Sequence, residues 1–163
     1  MAEKKYKKTK PAGSIAAEPD VPYVRNSPAP VFFFNSSFSG MGPFEKMNLI
    51  KAGVSKKDLE EIKNTAGLDY DQLAQVLSVT RATLINKKGK EKFAAPLSER
   101  IIGVADVYAY GYEVFEDKAA FNRWVHTPNR ALGGMVPYQL LDNQYGREEV
   151  KNIIGRIAWG VYS

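Results

Sequence analysis

The sequence predicts an all-α protein, and three observations carry this prediction. Apolar residues recur every three or four positions in several segments after residue 54, which is the period of an amphipathic helix. Ser, Thr or Asp precedes most of these segments, and glycines follow several of them, as expected at helix ends. We find no strand-like alternation of apolar and polar residues, no internal repeat and no coiled-coil run.

Composition excludes several classes of protein. The 163 residues, 44% of them hydrophobic, suffice for one ordinary core or two small ones. Without cysteine the chain has no disulfide or cysteine-based zinc site, and the lone His126 cannot form a histidine metal site by itself. No apolar run is long enough to span a membrane, and the basic start lacks the apolar stretch of a secretory signal. We therefore expect a cytoplasmic protein without a metal or cofactor.

Positive charge is concentrated in two short segments. The net charge is +5, yet residues 1–10 carry five lysines against one glutamate, and residues 80–92 carry five basic residues against one glutamate. The remainder of the chain is therefore net negative. Local positive charge suits a polyanion such as nucleic acid, and the alternative is a solubilising tail plus a solvated helix face.

Residues 1–45 are predicted to form a flexible, basic, proline-rich arm. The first 30 residues are rich in Lys, Pro, Ala and Ser and show no apolar period. The VFFF segment, residues 31–34, is costly to leave in water, so we expect it to pack on the protein's own surface or on a second copy.

Residues 46–115 are predicted to form a helix-turn-helix region that ends in a long helix. Ser55 caps the first of its three short helices and Gly67 ends it, and Asp69 caps the second. Thr80 caps the third helix and Gly89 ends it. Pro96 lies near the start of the long helix, where its missing N–H is tolerated. The apolar seam of that helix is Leu97, Ile101, Val104, Tyr108, Tyr112 and Phe115.

Residues 70–88 have the spacing of a helix-turn-helix. Ala74 is small where the two helices cross, and the inward positions are apolar. The turn usually contains glycine, which accepts a positive φ, but Ser78 stands there in this chain. Such a second helix lies in the major groove, so we expect Arg81 to read guanine, Asn86 to read adenine and the lysines to hold phosphates. The candidate DNA-binding residues are Thr80, Arg81, Thr83, Asn86, Lys87, Lys88 and Lys90. The alternative is a helix pair used only for packing.

Residues 116–163 are predicted to form a second small helical domain. Asp117 caps a helix, the stretch RALGGMVPYQLL (residues 130–141) forms a tight corner, and Pro137 begins a short helix. We expect this corner to shape a surface for another protein. One apolar stripe of the last helix is Val150, Ile153, Ile154, Ile157, Ala158 and Val161.

This segment resembles the toxin-binding domain of Xre-type antitoxins, a family also named MbcA and ParS, whose partners are RES-domain toxins. The matching elements, in family order and spacing, are Trp124, Pro128-Asn129, Ala131-Leu132-Gly133-Gly134, Pro137, Leu140-Leu141, Gly146, Val150, Arg156-Ile157 and Gly160-Val161-Tyr162. The resemblance continues upstream through the helix-turn-helix and covers roughly residues 50–163.

The resemblance implies the antitoxin of a type II toxin–antitoxin pair. Its RES-domain partner, encoded by a neighbouring gene, degrades NAD or uses it for ADP-ribosylation. The antitoxin neutralises this toxin by direct binding, with its C-terminal end covering the NAD pocket. Antitoxins of this kind tend to bind their own promoter as dimers, so the implied partners also include operator DNA and a second copy of the chain.

The last residues, AWGVYS, are the strongest candidates for toxin contacts. Apolar and aromatic residues are unusual at a terminus unless something covers them, and aromatic residues are frequent interface anchors. We expect Trp159 to Ser163 to insert into the toxin cleft, the alternative being that Trp159 and Tyr162 fold back on the bundle. The candidate toxin-binding residues are Trp124, Asn129, Leu132, Gly133, Gly134, Arg156, Trp159, Gly160, Val161, Tyr162 and Ser163. For Trp124 the alternative is a core position, and for the glycines an ordinary turn.

No catalytic set is predicted. His126 has no nucleophile pattern beside it, and GMGPF and ALGGM lack the features of phosphate loops. We therefore do not expect an enzyme. The alternative function is a plain DNA-binding repressor whose C-terminal helices only dimerise.

Overall fold

The computed structural model describes residues 36–160, and within them the chain is all-α, as predicted. The described part contains eight α-helices and two short 3-10 helices, and its one β-type pairing is an isolated bridge between Ser55 and Lys92. The α-helices are α1 (Ser36–Ser39), α2 (Pro43–Ala52), α3 (Lys56–Ala66), α4 (Tyr70–Val76), α5 (Arg81–Ile85), α6 (Ala95–Phe115), α7 (Lys118–Val125) and α8 (Gln144–Ala158). The 3-10 helices are Arg130–Leu132 and Pro137–Leu140.

The predicted N-caps are confirmed. The side chain of Ser55 accepts a hydrogen bond from the backbone N–H of Asp58, and that of Asp69 accepts one from Gln72, each within a reciprocal capping box. Thr80 caps α5 by accepting from the N–H of Thr83, and Asp117 caps α7 by accepting from the N–H of Ala119. Gly67 ends α3 in the left-handed conformation, with φ of 67°.

The long helix α6 forms the centre of the core. Tyr108 is fully buried there, and its ring meets those of Tyr112 and Phe121 edge-on at centroid distances of 6.0 and 5.4 Å. Gly111 permits this packing, because a Cβ there would collide with the ring of Phe121. Helix α7 therefore lies directly against the C-terminal half of α6.

Helix α8 runs beside α6 in the same direction. Three successive contacts between the two helices join Gly103 with Arg147, Asp106 with Lys151, and Tyr110 with Gly155. The predicted apolar stripe of α8 is buried at Val150, Ile153 and Ile154, half-buried at Ile157 and exposed at Ala158. Gly146 is required near the start of α8, since a Cβ would collide with the carbonyl oxygen of Leu140.

The N-terminal end of the described chain packs on the same core. Residues 36–45, assigned from the sequence to the arm, form α1 and the start of α2, and Phe38 is completely buried. The ammonium group of Lys46 lies 5.5 Å from the centre of the Phe38 ring. The predicted role of the VFFF segment lies outside the described residues. Among the helices in residues 36–160, none is long and apolar enough to cross a membrane.

Candidate nucleic-acid and toxin interfaces

Helices α4 and α5 form the predicted helix-turn-helix. Leu73, Leu77 and Leu84 are buried between them, and the backbone N–H of Val79 donates to the carbonyl of Ala74 at 3.0 Å. Ser78 has a φ of 51°, which is the left-handed conformation that glycine usually supplies in this turn. The turn therefore keeps its expected geometry although a serine replaces the glycine.

The second helix ends four residues before Gly89, where the sequence placed its end. Helix α5 stops at Ile85, and Asn86 is its C-cap. The chain then turns back, so that the carbonyls of Gly89 and Glu91 accept the free N–H groups of Lys57 and Lys56, each at 2.9 Å. These tertiary hydrogen bonds satisfy the start of α3, and they are the physical reason for the early end of α5.

The candidate DNA-binding residues divide into two groups. Thr80, Arg81 and Thr83 lie at the start of α5 and are exposed, whereas the remaining candidates follow the helix in the loop: Asn86, Lys87, Lys88 and Lys90. The guanidinium of Arg81 is paired with the carboxylate of Asp71 at 2.7 Å, with both side chains more than half exposed. Such a pair is weak and can be exchanged for a DNA group.

A buried lysine holds α5 in place. Lys56 is 4% exposed, and its ammonium group donates to the Leu84 carbonyl of α5 at 3.0 Å and to the Tyr70 hydroxyl at 2.5 Å. The carboxylate of Glu60 lies 3.5 Å away. This lysine donates to one of the carbonyls at the end of α5 that have no partner within the helix. It thereby fixes the candidate DNA-binding helix to α3.

The predicted corner is a closed loop centred on Asn129. Its side chain accepts a hydrogen bond from the N–H of Ala131 at 2.8 Å, and its backbone bonds Gly134 and Met135. Gly133 and Gly134 have φ values of 65° and 85°, and nothing lies within 4 Å of where their Cβ atoms would be. The two glycines are therefore needed for the backbone turn and not for a close approach within this chain.

The second half of the corner faces the helix-turn-helix. Pro137 and Tyr138 are buried, and the Tyr138 hydroxyl donates to the Gln72 carbonyl of α4 at 2.8 Å. Burial, aided by the negative charge of Asp69, raises the pKa of Tyr138 to about 12, so the hydroxyl keeps its proton. The ring of His126 packs on that of Tyr138 at 4.8 Å, and burial lowers the pKa of His126.

The C-terminal end of α8 forms an exposed tip. Trp159 is 85% exposed, and Gly160 follows with a φ of 67°, which ends the helix. Beside Trp159 lies an open groove of about 550 Å³, lined by Tyr110, Lys151, Asn152, Gly155, Arg156 and Trp159. The guanidinium of Arg156 is 3.3 Å from the carboxylate of Glu149. An aromatic side chain and basic groups thus lie together beside the chain terminus.

Two family models match successive segments of the chain. Residues 111–160 match the family model of the antitoxin Xre/MbcA/ParS C-terminal toxin-binding domain. Residues 47–106 match that of the antitoxin Xre-like helix-turn-helix domain. The two models occur in order and together cover most of the described chain. The chain belongs to the Xre family of antitoxins.

Three curated proteins are similar to this antitoxin over most of its length. It is 29% identical to Antitoxin Xre of Photorhabdus laumondii subsp. laumondii, in an alignment that covers 71% of this chain and 79% of that protein. It is 26% identical to the Prs ADP-ribosylating antitoxin of a Sphingobium species, over 74% of this chain and 82% of that protein. Antitoxin Xre of Yersinia enterocolitica is 28% identical, over 70% and 78% respectively.

The predicted toxin contacts of the antitoxin lie in three places. Arg156, Trp159 and Gly160 are together at the tip, whereas Asn129, Leu132, Gly133 and Gly134 form the corner loop. Leu132 is buried at 4% exposure. Trp124 is half-buried, with its ring packed on Phe115 and Phe121 at 5.4 and 5.7 Å, as the core alternative expects. Val161, Tyr162 and Ser163 lie outside the described residues.

Several side chains that shape the two surfaces of the antitoxin were not singled out from the sequence. Lys56 looks like an ordinary solvated residue in KKDLEE, and no local signal distinguishes it. Tyr110 lies two residues from both Tyr108 and Tyr112 and therefore on a different face of α6 from the predicted seam, yet it lines the groove at the tip. Tyr138 follows Pro137 in the corner, and nothing in its local sequence indicated its hydrogen bond to Gln72, 66 positions away. Within residues 36–160, no group of three or more His, Cys, Asp or Glu could hold a metal ion.

Proposed function

We propose that this antitoxin neutralises a RES-domain, NAD-consuming toxin encoded by a neighbouring gene. In this proposal the end of the chain, residues 159–163, enters the active-site cleft of the toxin and blocks access to NAD. The helix-turn-helix binds operator DNA and represses the operon, with the antitoxin acting as a dimer. The antitoxin works by binding and carries no catalysis of its own.

The observation that supports tip insertion is the exposure of Trp159. A tryptophan with 85% of its surface in water is costly, and here it follows a helix that buries Val150, Ile153 and Ile154. Gly160 then has a positive φ, which the α-helix does not accommodate. Lys151 and Arg156 provide positive charge beside it, which suits the acidic groups that a cleft for a sugar-containing cofactor uses to bind hydroxyls.

The nature of the toxin is supported by the resemblance and by one relative. Xre-type antitoxins pair with RES-domain toxins, and the name of the Sphingobium relative associates that protein with ADP-ribosylation of Prs. ADP-ribosylation consumes NAD, so the family resemblance and the name of this relative both favour an NAD-consuming partner.

DNA binding is supported by the exposed side chains of α5 and the loop behind it. Arg81, Thr83 and Asn86 are exposed, and Lys88 and Lys90 extend the positive surface. The competing proposal, a plain repressor whose C-terminal helices only dimerise, is disfavoured because residues 111–160 match a toxin-binding domain.

The deciding experiment measures cellular NAD and growth while the neighbouring gene is expressed with and without this antitoxin. We expect NAD to collapse with the toxin alone and to recover on co-expression. A toxin that arrests growth with NAD unchanged would point to ADP-ribosylation of a protein, detectable by mass spectrometry of the modified target. A neighbour that affects neither NAD, growth nor protein modification would overturn the proposed function.

Tip insertion is tested by substituting Trp159. We expect Trp159→Ala to weaken the toxin complex by roughly 30-fold or more, as for a buried aromatic anchor. Tyr145→Ala is the matched control, because Tyr145 is 82% exposed at the opposite end of the same helix. Full inhibition by a chain that ends at Arg156 would contradict the insertion.

A further inference from the structure

The toxin-binding domain makes hydrogen bonds to the helix-turn-helix, both to α4 and to the turn after it. The Tyr138 hydroxyl donates to the Gln72 carbonyl within α4 at 2.8 Å. The hydroxyl of Ser78, in the turn, donates to the carbonyl of Asp142, just before α8, at 3.4 Å. Both contacts join residues more than 60 positions apart in the chain.

The long helix adds a third connection to the same turn. One nitrogen of the Arg100 guanidinium donates to the Leu77 carbonyl at 3.0 Å and to the Ser78 carbonyl at 3.3 Å. These carbonyls follow the last residues of α4 and have no partner within the helix, so a positively charged donor stabilises them. The other side of this junction is fixed by Arg147, whose guanidinium donates to the Leu141 carbonyl at 3.0 Å.

The conformation of Ser78 shows why the turn needs such support. A non-glycine residue in the left-handed region is strained and persists only where its surroundings hold it. At Ser78 the surroundings are supplied by Arg100 and by the Asp142 carbonyl. A glycine in this place would relieve the strain but could not make the hydroxyl contact with the toxin-binding domain.

We propose that the toxin-binding domain positions the DNA-reading turn, with Ser78, Arg100 and Tyr138 as the positioning residues. Tyr138 and Ser78 link the toxin-binding domain to α4 and to the turn, and Arg100 of α6 holds the turn from within the helix-turn-helix segment. Together they form a clamp on α4 and the turn that sets the orientation in which α5 meets DNA. The corner of residues 130–141 thus serves the DNA-binding end of the molecule through Tyr138. This inference rests on the DNA-binding part of the proposed function.

The test measures amide hydrogen exchange in the full-length protein for Tyr138→Phe and Arg100→Gln. The reporters are the N–H groups of Ser78 and Val79, which are bonded to the Gln75 and Ala74 carbonyls. We expect their exchange to accelerate by about threefold to tenfold, the effect of one lost hydrogen bond, with residues 104–108 of α6 unchanged. Tyr145→Phe removes an exposed hydroxyl and serves as the matched control.

The same variants are titrated with a DNA duplex that carries the promoter sequence upstream of the antitoxin's own operon. We expect the affinity of both to fall by a similar factor, about threefold to tenfold, while toxin neutralisation stays at the wild-type level. Unchanged exchange at Ser78 and Val79 in Tyr138→Phe, or equal acceleration along the whole chain, would overturn the positioning role of the toxin-binding domain, whatever Arg100→Gln shows. If the wild-type protein does not bind the duplex while exchange at the turn accelerates, the clamp stands and the DNA-binding part of the proposed function fails.

Discussion

At the scale of single residues, Ser78 joins local strain to a long-range contact. The helix-turn-helix needs a positive φ at this position, and the sequence places there a residue that adopts it reluctantly. Its hydroxyl, which glycine lacks, reaches the Asp142 carbonyl. The serine therefore combines a strained backbone conformation with a long hydrogen bond to the segment that precedes α8.

Replacing Ser78 by Gly and by Ala separates these two effects. Neither replacement has the hydroxyl, but only alanine retains the left-handed strain, so we expect Ser78→Gly to be more stable than Ser78→Ala by about 1 kcal/mol. Urea unfolding followed by circular dichroism measures the difference. Equal stability of the two variants would mean that the backbone relaxes away from the positive φ.

At the scale of helices, one carboxylate connects three of them. Asp106 of α6 lies 2.5 Å from the ammonium group of Lys46 in α2 and 2.6 Å from that of Lys151 in α8. Burial alone would raise the pKa of Asp106, but the hydrogen bonds and positive charges of the two lysines outweigh it and lower the pKa. The ionised form is therefore stabilised in the folded protein.

This linkage predicts an acid-sensitive contribution to stability. Because the folded pKa is lower, the contribution is complete above the unfolded pKa of about 3.9 and is lost as the pH falls through the folded value. We expect Asp106→Asn to lower the free energy of unfolding at neutral pH by about 1 to 2 kcal/mol. The difference in the free energy of unfolding between variant and wild type should shrink below about pH 4.

Urea unfolding at neutral and acidic pH provides the measurement. Asp71→Asn is the control, because the exposed Asp71–Arg81 pair is expected to contribute less than about 1 kcal/mol. A gap for Asp106→Asn that stayed constant into acid would show that the aspartate acts through packing and not through its charge.

Sequence patterns predicted helices well where local chemistry decides and less well where distant contacts decide. Ser55, Asp69 and Asp117 cap helices with their own neighbours, so the N-termini followed directly from the sequence. The end of α5 did not, because the carbonyls of Gly89 and Glu91 are drawn to the start of α3. The same holds for Lys56, whose burial depends on Tyr70 and Leu84 and has no local signature.

At the scale of the whole molecule, the two family domains share one helix and one core. The matched segments, residues 47–106 and 111–160, divide within α6, so that neither has a complete hydrophobic face without the other. The ion pair of Asp106 with Lys151 joins the two segments, and the buried ring of Tyr108, between them, packs on that of Phe121. Such a division is recognised from family motifs, but only the packing shows that it is not a physical boundary.

A shared core predicts a single cooperative unfolding transition. The chain has two tryptophans, so in a Trp159→Phe variant fluorescence reports only Trp124, which packs against Phe115 and Phe121. We expect its fluorescence and the far-ultraviolet circular dichroism to give superimposable urea curves. Two separated midpoints would show that the C-terminal domain unfolds independently.

Helix α8 begins beside the turn between α4 and α5 and ends before Trp159, so its length sets the distance between the proposed DNA-binding and toxin-binding sites. Fifteen residues at 1.5 Å each place them about 22 Å apart. A toxin bound at the C-terminal end of α8 and a DNA duplex bound near its N-terminal end would occupy separate surfaces. One antitoxin molecule could then bind both at the same time. Toxin binding would not by itself release the antitoxin from the promoter.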